Sequence, residues 1–227
     1  MRFRAFISIV LLLTPGLALG APPEGDIFIE TVGGRVETGR VSEDGVSVTR
    51  GVRVFYGELG IDLPNVTDEP GILSEVGAFD PGGYVSFTLH RALRKWDGSD
   101  FESIPAETMS VQFGPFTATT PATDAPVAGF QMPVGPDGEF HEHALWMLDN
   151  PASDGIYLMT LDLLANNASA SEPIWVLFGQ STGEADVDAA FDWATTNIPS
   201  PAAAGLFGGL LLPARRRTRP IGPPPAR

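Results

Sequence analysis

Between residues 22 and 180 the chain reads as short β-rich apolar runs separated by Gly, Pro and Asp, with alternation of apolar and polar positions where a face is exposed. Residues 84–90 show it most cleanly. Val85, Phe87 and Leu89 point one way, and Tyr84, Ser86, Thr88 and His90 the other. The same reading predicts strands over 26–32, 35–41, 51–59, 109–119, 139–148, 155–165 and 173–179. Gly33-Gly34 supplies a tight hairpin turn between the first two. A parallel α/β fold needs a helix of ten to fifteen residues between strands, and the pattern offers none. The expected class is therefore all-β: an antiparallel β-sandwich of about eight strands. One C-terminal helix is predicted over 184–197. Ser181 and Glu184 stand at capping-box spacing before it, and Val187, Ala190, Phe191 and Ala194 fall at helical spacing within it. The proline-containing stretches 60–82 and 120–138 read as loops.

The chain has 227 residues, 43% of them apolar, so a core can form; 26 Gly and 21 Pro argue against a helix bundle. Charge is segregated. All 28 acidic residues lie between Glu24 and Asp192, where only seven basic ones are found, giving this stretch a net charge of −21. Phosphate backbones would be repelled, which excludes nucleic acid as a partner. With no cysteine there is no disulfide, thiol nucleophile, Cys-zinc site or lipoprotein anchor.

Both ends are basic, opposite in charge to the domain between them, and read as addresses. Arg2 and Arg4 precede an apolar run over 5–13; Pro15 and Gly16 break it, and Ala18-Leu19-Gly20 presents small residues for cleavage before Ala21. This predicts a signal peptide over 1–20 and export through the general machinery. At the other end Pro199, Ser200 and Pro201 precede the apolar run 202–212, followed by Arg215, Arg216, Arg217 and Arg219. A C-terminal hydrophobic helix is expected there. Its length falls short of the ~20 residues that cross a bilayer comfortably, which suits transient insertion with the arginines inside.

This tail resembles the PEP-CTERM sorting signal of exopolysaccharide-forming bacteria, over residues 198–219. It departs from the family in having Ser200 in place of the usual Glu, a short apolar run, and an extension to Arg227. The resemblance implies an exosortase as partner, exopolysaccharide as a neighbour, and an exported cell-surface or extracellular protein. Inner-membrane anchoring through 202–214 would be transient or permanent. The expected organisation is a signal peptide over 1–20, an acidic domain over 21–197, the sorting segment over 198–219 and a disordered tail over 220–227. Within the domain, Asp26-Ile27, His141-x-His143-x-x-Trp146 and Gly155-x-Tyr157 resemble bacterial surface-anchored domains with an H-x-H…W…G-x-Y hallmark, although Glu139-Phe140 replaces the expected Gly. That resemblance implies an extracellular β-sandwich without a defined chemistry.

His141 and His143 are the sharpest chemical feature. On a strand both rings project to one face, close enough to share a metal if a third ligand joins them, and His90 is the candidate third. Local spacing offers only Glu142, which faces away, so the sequence favours a structural role for the pair and no resident cofactor. Calcium is the other candidate ion, at the carboxylates near Asp62 and Asp68-Glu69, at 97–102 and at Asp186/Asp188, none with EF-hand spacing. Trp96, next to Lys95 and Asp97, is expected to be exposed, and Trp175 and Trp193 to pack in the core. There is no G-x-S-x-G, P-loop or G-x-G-x-x-G. The leading expectation is a non-enzymatic exported surface or matrix protein. The alternatives are a carbohydrate-binding module and a metal-dependent enzyme using His141 and His143.

Overall fold

The computed structural model of the protein describes residues 22–199. The signal-peptide residues Ala18, Gly20 and Ala21, the sorting residues Ser200, Pro201, Arg215, Arg216 and Arg217, and the 202–214 helix all lie outside the described residues. No helix among the described residues is long and apolar enough to cross a membrane.

The described chain is mostly β. In order it forms β1 (Ile27–Val32), β2 (Arg35–Val41), β3 (Val48–Arg50), β4 (Val54–Leu59), β5 (Val66–Thr67), β6 (Ile72–Leu73), β7 (Tyr84–Leu89) and β8 (Arg94–Lys95). There follow β9 (Met109–Phe113), β10 (Phe116–Thr119), β11 (Val127–Ala128), β12 (Met132–Pro133), β13 (His141–Glu142), β14 (Leu145–Leu148), β15 (Gly155–Ala165), β16 (Ile174–Gln180) and the helix α1 (Glu184–Asn197). Three sheets result, ordered β13-β6-β1-β2-β3, β10-β9-β14-β5 and β11-β7-β15-β16-β4; β12 and β8 add to the last at β7 and β15. Pairing is antiparallel except for β1 with β6 and β4 with β16, which are parallel. The expectation of a purely antiparallel arrangement is corrected to that extent. The segments read as loops, 60–82 and 120–138, contain β5, β6, β11 and β12. Each is two residues long, too short to show any period in the sequence.

The long strand β16 is apolar on both faces, and β15 is so except at Thr160 and Asp162, because both faces are covered. Tyr157, Met159, Leu161 and Leu163 of β15 share one core with Ile27, Ile29, Met109, Val111 and Trp146 from the other two sheets. Ile156 and Leu158, on the opposite face, share a second core with Trp175, Leu177 and the α1 residues Val187, Ala190 and Ala194. The continuous apolar runs thus report a central strand pair rather than a half-exposed one. The helix has the predicted span, but its N-cap is Gly183 with no side-chain cap bond. Ser181 sits at φ 49°, outside the geometry of a capping box.

Candidate metal centre

The predicted strand over 139–148 is broken. β13 belongs to the first sheet and β14 to the second, with His143 and Ala144 at the break. Ala144 and Trp146 turn into the core, and the Trp146 indole N–H donates to the Pro70 carbonyl at 3.2 Å. That bond ties the 68–71 segment beneath the two histidines.

Register then makes the site. β1 and β13 both pair with β6, with Ile27 and Glu142 opposite Ile72. One residue further along, the same register sets Asp26 and His143 on either side of Gly71. The Gly71 N–H donates to Asp26 Oδ1 at 2.8 Å, and the Ile27 N–H donates to the Gly71 carbonyl at 2.9 Å. Gly71 is bare where its neighbours carry ligands. A Cβ there would lie 2.5 to 2.8 Å from three atoms of the His143 ring.

Over this gap the Nε2 atoms of His141 and His143 stand 3.3 Å apart, and His143 Nε2 lies 3.9 Å from Asp26 Oδ2. One ligand atom from each of Asp26, His141 and His143 falls within 4.8 Å of the other two. Two nitrogens bound tetrahedrally at Zn–N distances of 2.0–2.1 Å are separated by about 3.3–3.4 Å, so the imidazole pair already has the spacing of a shared ion. The Asp26 carboxylate needs only a side-chain adjustment to close on the same point.

Hydrogen bonds orient the candidate ligands from behind. The Asp68 carbonyl can only accept, so the contact from His143 Nδ1 at 3.2 Å puts the proton on Nδ1, and His143 Nε2 accepts from His141 Nε2 at 3.3 Å, a bond that a shared ion would replace. Asp26 spends Oδ1 on Gly71 and keeps Oδ2. Glu69 stands behind both: its Oε1 is 3.6 Å from His143 Nδ1, and its Oε2 accepts from the Gly71 N–H at 3.1 Å. Burial, and then the hydrogen bond and charge of Asp26, push the Glu69 carboxyl up to about 7. Crowded this way, Glu69 holds a proton near neutrality, and a cation would displace it.

The other predicted residues lie elsewhere. His90, the expected third ligand, pairs with Asp162 across β7 and β15, Nε2 to Oδ2 at 3.0 Å. Among the described residues, Asp26, His141 and His143 are the one group of three or more His, Cys, Asp or Glu side chains that converge this closely. Asp97 spends its carboxylate on the N–H groups of Ser99 and Asp100. Trp96 is not exposed as expected but half-buried, with ring centroids 5.1 Å from Phe101 and 6.1 Å from Trp193. Trp175 in turn stacks on Trp193 at 6.0 Å. The tryptophans that a sugar platform would need therefore pack under α1. Of the sorting residues, only Pro199 is described, and its carbonyl accepts from Arg53 Nη2 at 2.6 Å.

The sequence reading placed Asp26 beside the histidines only through the H-x-H resemblance and Glu69 only among calcium candidates; it assigned neither to this centre and missed Gly71, because 115 positions of chain separate Asp26 from His141. No family model matches the chain, and neither does any curated protein or any solved structure.

Proposed function

We propose that this chain is an exported surface protein whose β-sandwich domain binds one divalent transition-metal ion on Asp26, His141 and His143. One observation carries the metal reading: two distant parts of the chain bring ligand atoms to a common point, with Asp26 and His143 each oriented from behind by a hydrogen bond. Hydrogen bonds of this kind set the direction and basicity of the ligands in metal sites. Two imidazoles and one carboxylate, with no thiolate, suit Zn²⁺ and its first-row neighbours better than Ca²⁺, which takes six to eight oxygens. The role is binding at the cell surface. The sandwich reading is supported by the core that β15 and β16 share with the other two sheets.

Export is supported by the order of charged, apolar and small residues over 1–20, and sorting by the tail's resemblance to the PEP-CTERM signal. The metal reading is tested by elemental analysis of the chain purified from the cells that export it. One zinc or similar ion per chain is expected, absent from the His141→Ala/His143→Ala variant; metal-free parent protein that also fails to take up added zinc overturns it. Sorting is tested separately. The mature chain should begin at Ala21, and replacing Arg215, Arg216 and Arg217 by Ala should leave the tail unprocessed. Unchanged routing and processing would remove the sorting reading alone.

A further inference from the structure

The proposed metal centre leaves one coordination position unassigned, and a ligand for that position depends on the centre itself. A tetrahedral ion takes four ligands, and among the described residues three side chains converge. Sites with three protein ligands keep the fourth position for water or an incoming molecule. Here that position has somewhere to open. Asp26 and His141 form part of the wall of a cleft of about 460 Å³, within the range of small-molecule sites. Glu69, standing behind the ligands, lines the same cleft.

The rest of the wall has a consistent character. Glu24, Glu43 and Glu58 are among its lining residues, and among the described residues no Lys or Arg lines it. Ile61, Leu73 and Tyr56 line the same cleft as His141 and bring apolar groups to it. Burial, with the charges of Glu58 and Glu24, pushes the Tyr56 hydroxyl up to about 12, so the phenol adds no negative charge near the cleft. A bound ion would make one end of the cleft an electron-pair acceptor, while the remainder stays negative. Anions drawn to the metal would meet that negative field along the rest of the wall.

We infer that the cleft takes a small cationic ligand: a neutral nitrogen donor, imidazole or amine, fills the open metal position, and a positively charged group lies against Glu43 and Glu58. A short apolar linker between the two suits the apolar groups of the wall.

The test uses the full chain loaded with Co²⁺, whose visible bands report coordination. Metal content is measured first, so that failure to bind Co²⁺ is seen as failure of the metal reading itself. Histamine, with an imidazole donor and an ammonium, is then compared with imidazole-4-acetate, which has the same donor and a negative group. Histamine is expected to shift the bands at a concentration at least ~10-fold lower, a preference that the Glu43→Gln/Glu58→Gln variant reduces to about twofold. Stoichiometric cobalt whose bands move with neither compound means a closed site and overturns the inference. Equal affinity for the two compounds, or a preference that survives the double variant, overturns the assignment of the cationic half.

Discussion

Replacing Gly71 by Ala adds one methyl group at the point where the fold leaves room for the His143 ring. Gly71 lies outside the left-handed backbone region, so alanine imposes no backbone strain. The nearest atoms it meets are those of the ring, at 2.5 to 2.8 Å from Cε1, Nε2 and Nδ1. Reaching ordinary contact requires the ring to retreat by about 1 Å, several times the ±0.2 Å that metal–ligand distances tolerate. His143 is a third exposed and can swing outward, so the steric cost to folding should stay near or below ~1 kcal/mol. The loss of glycine's freedom in the unfolded chain offsets about 0.4–1 kcal/mol of it. Zinc affinity, by contrast, should fall at least ~10–100-fold, as when the groups that orient a ligand are lost. Competition against a chromogenic chelator, together with thermal melting, separates the two effects. A double-mutant cycle sharpens the test: once His143 is already alanine, Gly71→Ala should cost nothing more in affinity. A folded Gly71→Ala chain that binds zinc within about twofold of the parent, or an additive double variant, would refute His143 as a ligand held by that gap.

The metal-free chain should lose stability as pH rises from about 4.5 to about 7, because Glu69 keeps a proton in the folded state that the unfolded chain has released. Linkage alone gives about 3 kcal/mol; Glu69 is half exposed, and solvent screening brings the expectation to about 1 kcal/mol. Urea unfolding at pH 5 and 7.5 measures it, and the sign should invert with zinc present, since protonated imidazoles release the ion. His90→Ala should leave zinc affinity unchanged while costing about 1–2 kcal/mol, because Asp162, whose Oδ1 is already unpartnered, loses its remaining side-chain partner. Zinc at 100-fold its Kd should add about 2.7 kcal/mol of stability. Its hydrogen-exchange protection should be concentrated at Ile72 and Leu73; uniform protection across β15 would point to binding elsewhere.

Much of the scaffold was legible because its signals are local. Alternation at 84–90 marks β7, and long apolar runs, interrupted in β15 only at Thr160 and Asp162, mark β15 and β16, whose faces both meet packed layers. The helix was legible from Val187, Ala190 and Ala194, although Gly183 rather than Ser181 caps it. What failed is what depends on pairing between distant segments. β6 has two residues and no period of its own, yet it joins β1 to β13. Trp96 reads as exposed from its charged neighbours, but β8 pairing with β15 carries it beneath α1. The histidines were visible as H-x-H, and the missing ligand was sought in the wrong histidine. His90 is one of only three in the chain, but the group that converges with His141 and His143 is a carboxylate that register delivers from across β6.

That register also says why an ion would matter here. The first sheet is held at its edge by a two-residue strand, with two paired residues on each side. Asp26 and His143 project from the flanking strands across a position with no side chain, so an ion between them would bridge β1 and β13 directly. It would act where the backbone ladder is thinnest, and only once the three segments are in register. Binding and the closing of this sheet edge would therefore be the same event, which ties the affinity of the site to the folding of the domain.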